Sequence, residues 1–334
     1  MQGTPVRIAI CGAGLIGSYL YRLLRQAGFE TVTLFEKPEP PGTTCGIRPC
    51  AWGTPSGVEG LLRFGALDPA KYVLQTVDAI IMNGVKVSAK ALIIDKPRLI
   101  ADLRKGAKIL TTPIETNDFD RIIDCTGYNR AFLPQIEGDI IASCIQYRVS
   151  SREIKRFAVD ISNQGYAWCI PISGDEYHVG AGSVSISPQK MLQRLDWLRD
   201  SSPICNCAGK ARLTAPYFSR PFVNLTSNGL CQIWGAGEAL GCVAPLAGEG
   251  IVPGMESARI LVNNWENPQA YEKAILKEFA WMKAEREVLD KALQGKKLGL
   301  FDAQVFVKST QRFKLNLDYR RSLSLLRSIN RVDT

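Results

Sequence analysis

The chain has 334 residues, 46% of them apolar and 22% charged; these are the proportions of a folded globular protein and exclude a disordered or fibrous one. At roughly 150 residues per domain, the length allows one large domain or two to three ordinary ones. The formal charge is +9, and Lys291–Thr334 carries ten Lys or Arg against three Asp, a net of +7 in the last 44 residues. Such a basic tail attracts phosphates, anionic membrane surfaces or acidic partners, and equally suits a solvated helical face. No nucleic-acid-binding module accompanies it, so no nucleic acid partner is expected. No stretch reaches the roughly 18 apolar residues of a spanning helix. The apolar run Val6 to Leu24 carries Arg7 and Arg22 and lacks a small-residue cleavage site, which argues against a signal peptide and for a cytoplasmic protein. Most of the ten cysteines lie in apolar runs such as Ile8-Ala-Ile-Cys11, where free Cys behaves as a small hydrophobe. His178 is the single histidine; it excludes a multi-His metal site and reads as a structural residue. Cys205-x-Cys207 has no second ligand pair at zinc-like spacing, so no metal is expected.

In chain order, Val6–Ile10 reads as a buried strand that runs into Cys11-Gly12-Ala13-Gly14-Leu15-Ile-Gly17. A helix follows with apolar positions at Leu20, Leu23, Leu24 and Ala27, closed by Gly28; a second strand, Thr31–Phe35, ends at Glu36. Strand, Gly-x-Gly-x-x-Gly, helix, strand and acidic residue is the order of a dinucleotide fold. Gly12 makes the tight turn, Gly14 lets the backbone approach a pyrophosphate, and Gly17 lets helix and strand pack closely. The helix start offers unpaired N–H groups and about half a positive charge to the diphosphate. Glu36, 19 residues after Gly17, would accept from ribose hydroxyls, which suits FAD or NAD and disfavours a 2′-phosphate.

Further along, Arg121-Ile-Ile-Asp124-Cys-Thr-Gly127 is a strand ending in a small-residue turn. Gln232-Ile-Trp-Gly235-Ala-Gly237-Glu238-Ala239 is followed by Pro245-Leu-Ala-Gly248-Glu-Gly250-Ile251 and a helix through Arg259 and Val262. A carboxylate there can bond ribityl hydroxyls, and the helix start places partial positive charge where a reduced flavin is negative.

Together these three segments resemble the FAD monooxygenase and reductase superfamily (p-hydroxybenzoate hydroxylase-like). Within it, Gln164-Gly-Tyr166-Ala-Trp168-Cys-Ile-Pro171, eight residues and then Gly180-Ala-Gly182 resembles the Tyr-x-Trp-x-Phe-Pro/Gly-x-Gly signature of the geranylgeranyl reductases, of the archaeal digeranylgeranylglycerophospholipid reductase type. Thr44-Cys45-Gly46 is similar to the Cys-Gly loop beside the flavin in that group, and Ile145-Gln-Tyr-Arg148 to a strand it shares. The resemblance covers residues 6 to about 265. It implies FAD as cofactor, with Gly12, Ala13, Gly14, Leu15, Gly17, Glu36, Cys45, Gly46, Asp124, Gly127, Glu238, Gly248, Gly250 and Ile251 around it. The family's basic residue before the second crossover falls at Lys96 and Arg98. Cys45, Tyr166 and Trp168 are the implied catalytic residues. Glu238 stands where the family has Asp, Ile170 where it has Phe, and the chain is shorter than typical members between residues 70 and 115 and at its C-terminal end.

The implied fold is α/β: a Rossmann-like FAD-binding domain, an antiparallel-sheet substrate domain and C-terminal helices. Residues 139–227 read as strands at Ile140–Val149, Phe157–Ile161, Tyr166–Ile172 and Tyr177–Val184 with an amphipathic helix over Gln189–Arg199. Residues 1–138 with 228–266 then make the nucleotide domain, and 267–334 a basic helical region with a stripe at Tyr271, Ile275, Phe279, Met282 and Leu289. The expected activity is reduction of carbon–carbon double bonds in an isoprenoid or polyprenyl lipid, with electrons from NAD(P)H or ferredoxin. Peripheral association with the inner membrane face is compatible with the basic tail. A flavin monooxygenase, or a flavoprotein that binds FAD and lipid without turnover, would share most of these motifs.

Overall fold

The computed structural model describes residues 6–38, 51–152, 157–317 and 322. Its N-terminal part follows the expected alternation: β1 (Ile8–Cys11), α1 (Leu15–Gln26) and β2 (Val32–Phe35). All four residues of β1 are buried, as a parallel strand covered on both faces requires. After β3 (Gly53–Pro55) and α2 (Val58–Phe64) come two long strands, β4 (Val73–Met82) and β5 (Val85–Ile94). The turn between them is Asn83-Gly84, both in the left-handed region at φ 47° and 79°, the two-residue hairpin chemistry that a twisted ribbon favours. Next are α3 (Lys96–Leu103), β6 (Lys108–Leu110) and β7 (Arg121–Asp124).

The middle of the chain supplies β8 (Ile141–Ser150), β9 (Ala158–Ser162), β10 (Gly165–Ser173), β11 (Glu176–Ser183), α4 (Pro188–Gln193) and β12 (Ser202–Arg212). It closes with β13 (Val223–Leu225), β14 (Gln232–Gly235) and four helices, α5 (Ile251–Asn263), α6 (Pro268–Glu278), α7 (Ala280–Leu293) and α8 (Leu300–Arg312).

Two sheets result. The first runs β13-β14-β7-β1-β2-β6, parallel except for the β13–β14 pair. The chain leaves β1 for β2 on one side, while β7 returns on the other, so β1 sits at the reversal of strand order where α/β sheets bind ligands. The second sheet runs β12-β8-β11-β10-β9-β4-β5-β3; its pairs are antiparallel apart from a short parallel contact of Ile81 and Met82 with Ala158 and Val159.

Sheet membership corrects the expected domain limits. β3, β4 and β5, inside 1–138, join the second sheet, and β13, inside 139–227, joins the first. The physical reason is the β4–β5 hairpin: its inward side chains Val77, Ile80, Met82, Val87 and Ala89 pack with Trp168, Ile170 and Ile172 of β10. The helix expected over 189–199 stops at Gln193, with a single 3-10 turn at Asp196–Leu198. Leu195 and Leu198 still pack inward, so the apolar pattern outlasts the helical hydrogen bonding.

At the start of β7 the Arg121 guanidinium lies over the rings of both Trp234 and Trp265, 4.5 and 3.9 Å from their centroids, and donates to the Trp265 carbonyl at 2.7 Å. Burial lowers Arg121 to about 10, so it stays charged and holds β7, β14 and the end of α5 together. Among the described cysteines seven form no disulfide and Cys205 is disulfide-bonded. No helix among the described residues is long and apolar enough to cross a membrane.

Candidate functional site

The three glycine-bearing segments meet at the start of α1. Gly12 has φ 99°, and a Cβ there would strike the Cys125 carbonyl at the end of β7. A Cβ on Gly17 would strike the Gly12 carbonyl, so Gly17 is fixed by close passage of helix over loop. Ile16 fills the space above Gly237 and Gly254, locking α5 onto α1. Gly14 differs from its neighbours. It is exposed, its φ of −65° is open to any residue, and a Cβ would meet no atom within 4 Å. Nothing among the described residues requires glycine there.

Ala13 and Leu15 are buried and line the loop from behind. The Ala13 N–H donates to Glu36 Oε2 at 2.7 Å, which brings the carboxylate to the loop. Gly14 caps α1 without a side-chain bond, leaving the helix start to an anion. These features fit the phosphate end of a dinucleotide.

Lys96 and Arg98 do not reach this loop. They open α3, where Asp95 caps the helix by accepting from the Arg98 N–H at 3.1 Å, and Arg98 is exposed. Arg104, at the other end of α3, bonds the Ala13 carbonyl and the Ser18 hydroxyl at 3.2 Å. Sequence reasoning missed Arg104; only packing of Leu99 and Leu103 into the core, which sets how α3 lies beside α1, brings it there.

Asp124 turns its carboxylate onto its own loop. It is fully buried, and its oxygens accept from Thr126 N–H and Oγ1 at 3.0 and 2.7 Å and from Phe132 and Leu133 N–H at 2.8 and 3.2 Å. It holds the 125–133 turn, each oxygen accepting twice. Gly127, at φ 68°, lets the Glu238 carboxylate approach: a Cβ would come within 3.0 Å of Glu238 Oε2. Glu238 Oε1 accepts from the Arg212 N–H at 2.8 Å. The turn, the carboxylate and the end of β12 therefore do come together, with Glu238 facing the junction of the two sheets.

The Tyr-x-Trp and Gly-x-Gly segments lie side by side in β10 and β11, with Tyr166 opposite Gly182 and Trp168 opposite Gly180. A Cβ on Gly180 would run into the Trp168 indole; the glycines are the floor on which the indole lies. Trp168 is buried and donates from Nε1 to Gln146 Oε1 at 3.1 Å, and its ring centroid is 5.6 Å from that of Tyr166. The Tyr166 hydroxyl donates to the Ala247 carbonyl at 3.0 Å and rests against Gly248, which has φ 63°. Tyr166 thus ties the second sheet to the loop before α5. Ile170 and Ile172, with Trp52 from the other side, extend this apolar surface.

His178 meets the edge of Trp52 at 4.7 Å. Burial lowers it to about 4, and its ring bonds the Ala51 backbone; Nδ1 has no partner among the described residues. It is neutral, and its unpartnered Nδ1 departs from the satisfied structural histidine expected. Two carboxyls go the other way: burial raises Glu249 and Glu285 each to about 7. Glu249 caps α5 and Glu285 accepts from the Leu246 N–H at 3.5 Å, so both flank the loop that carries Gly248 and Gly250. Gly250 caps α5 and Ile251 begins it. Cys45 and Gly46 lie outside the described residues.

This arrangement has the fold of flavin-dependent reductases and halogenases. It is similar to a geranylgeranyl bacteriochlorophyll reductase-like protein from Thermoplasma acidophilum, with a TM-score of 0.70 at 17% identity over 96% of this chain and 95% of that one. A tryptophan 6-halogenase from Streptomyces toxytricini gives 0.64 at 14% identity, over 97% and 90%. In sequence, the chain is 23% identical to digeranylgeranylglycerophospholipid reductase 3 of Methanosphaera stadtmanae, over 78% of this chain and 77% of that protein. An uncharacterized protein of Methanocaldococcus jannaschii is 22% identical, over 85% and 91%. No protein-family profile matches the chain.

Proposed function

We propose that the chain is an FAD-dependent oxidoreductase that saturates carbon–carbon double bonds of an isoprenoid chain, of the geranylgeranyl type. The observation that carries this reading is the Tyr166 hydroxyl on the Ala247–Gly248 loop, which joins the signature strand pair to the segment that opens α5. The relation to the Methanosphaera reductase supports the same chemistry.

Gly12, Gly14, Gly17 and the α1 start hold the diphosphate, with Glu36 beside them and Arg104 behind the loop. Bound and reduced, FAD supplies a hydride to one carbon of the double bond. Tyr166, Trp168 and Ile170 form the wall along which an apolar chain lies, excluding water from the reacting carbon. The second carbon takes a proton from solvent or a neighbouring acid. The electron donor is NAD(P)H or a ferredoxin-like protein, and the basic C-terminal region serves an anionic headgroup or membrane face.

The test is anaerobic. The protein is loaded with FAD, reduced chemically and mixed with a geranylgeranyl lipid. The expected result is flavin reoxidation that requires the lipid, with a product heavier by two hydrogens per double bond. Reoxidation only on admitting oxygen, with an oxygenated or halogenated product, would establish the monooxygenase or halogenase chemistry of other proteins of this fold. Reduced flavin that stays bleached with lipid bound and no reoxidation would establish a binding protein.

A further inference from the structure

Glu249 lies between Gly248 and Gly250, and its carboxylate folds back over the start of α5. Oε1 accepts from the Ile251 and Val252 N–H groups at 2.9 and 3.0 Å and from the Thr54 hydroxyl of β3 at 3.3 Å. Oε2 is sealed from solvent and has no hydrogen-bond partner among the described residues. Two amides at the start of a 13-residue helix make an anion site, and here the chain's own carboxylate fills it. These are also the donors that a flavin ring laid along α5 would use for a carbonyl or anionic edge. Two acceptors cannot hold the same pair of N–H groups.

We propose that Glu249 is a displaceable cap on α5: an acceptor edge of the cofactor takes the Ile251 and Val252 amides, and Glu249 leaves them carrying a proton from solvent. The proposal rests on the FAD reading given above. A carboxylate that has lost its donors in a water-excluded place is disfavoured as an ion, and Oε2 is the atom that holds the proton. Burial already raises this carboxyl to about 7, against the opposing pull of the Val252 and Ile251 amides and the Thr54 hydroxyl; removing the amides raises it further. No charged side chain is among the causes of that shift. The groups that face the loop are Thr54 from β3, the Tyr166 hydroxyl from β10, bonded to Ala247, and Glu285 from α7, bonded to Leu246. Glu285, at about 7 as well, titrates in the same window and serves as the control.

The free protein loses the Glu249 proton above about pH 7, whereas the bound form keeps it. Binding therefore takes up a proton in that range and weakens as the pH rises. FAD is titrated into the purified apoprotein between pH 6 and 8.5, with binding followed by quenching of flavin fluorescence. Calorimetry in buffers of different ionisation enthalpy counts the protons. For the wild type, Kd rises about tenfold from pH 6 to pH 8, with close to one proton taken up at pH 8. Glu249→Gln gives a Kd level with pH and about tenfold tighter than wild type at pH 8, while Glu285→Gln keeps the wild-type slope. A wild-type Kd level with pH and no proton uptake overturns the proposal without use of any variant. A slope abolished by Glu285→Gln and kept by Glu249→Gln overturns it too. Failure to bind FAD at every pH overturns the cofactor reading itself, an outcome distinct from pH-independent binding.

Discussion

Gly14 and Gly17 separate the demands of ligand and fold. Gly17→Ala places a methyl against the Gly12 carbonyl, and backbone cannot retreat cheaply; a loss of about 2 to 4 kcal/mol is expected in denaturant unfolding. Gly14→Ala meets open space and changes stability by no more than about 1 kcal/mol, the cost of alanine in place of glycine at a helix cap. FAD affinity should nonetheless fall at least tenfold in Gly14→Ala, because the methyl stands where the diphosphate approaches. Equal affinity in the two proteins would show that no ligand lies over the loop. The glycine spacing was legible in the sequence as a motif, although Gly17 alone answers a local constraint, Gly12 answering the distant Cys125 carbonyl and Gly14 none among the described residues. The role of Asp124 was not: an acidic residue at a strand end reads the same whether it faces a ligand or, as here, its own turn. Arg104 was invisible for the complementary reason, that its contact with Ala13 spans 91 residues.

The pairing of β10 with β11 explains why two aromatics and two glycines recur at matched spacing. Trp168 occupies the room that a side chain on Gly180 would need, the cross-strand packing by which sheets are stabilised. Gly180→Ala is expected to cost about 2 to 3 kcal/mol through displacement of the indole, and Trp168→Ala about 3 to 5 kcal/mol through the cavity it leaves. The double variant should lose at least 1 kcal/mol less than the two single losses combined, because the added methyl no longer has an indole to meet. Additive losses would show that the glycine serves the ligand alone. Strand positions in this region were readable from alternation, and β8 to β11 fall within a residue or two of expectation. The β4–β5 hairpin passed unread although Met82-Asn-Gly-Val85 carries its turn signature. The eventual partner sheet lies far ahead in the chain, so local pattern gave no reason to assign the hairpin to it.

At the scale of the whole molecule, Glu249, Glu285 and His178 among the described residues set opposing pH dependences. Glu249 and Glu285 are raised to about 7, above their unfolded values, so the stability they contribute is present at low pH and lost as the pH rises through 7. Between pH 5.5 and 7.5 this removes about 2 kcal/mol for each. His178 is lowered to about 4, below its unfolded value; its contribution is present above pH 6.5 and declines as the pH falls, by about 1 to 1.5 kcal/mol at pH 5.5. The carboxyls win. The ligand-free protein should be more stable at pH 5.5 than at 7.5 by roughly 2 to 3 kcal/mol in urea unfolding, and Glu285→Gln should remove about 2 kcal/mol of that difference. A stability that rises over the same interval would mean that these carboxyls are ionised in the folded chain.

The interleaving of the two sheets bears on how the polypeptide emerges during synthesis. β1 and β2 can meet early, but β7 and β14, which complete the parallel order on their other side, are delivered 110 and more residues later. The β4–β5 ribbon must likewise wait for β9 and β10. Such distant pairings make folding slow and leave unpaired strand edges open to intermolecular association in the interval. Nascent chains released before β14 should therefore be insoluble or chaperone-bound, and a plasmid encoding only the first half should yield no soluble nucleotide-binding module.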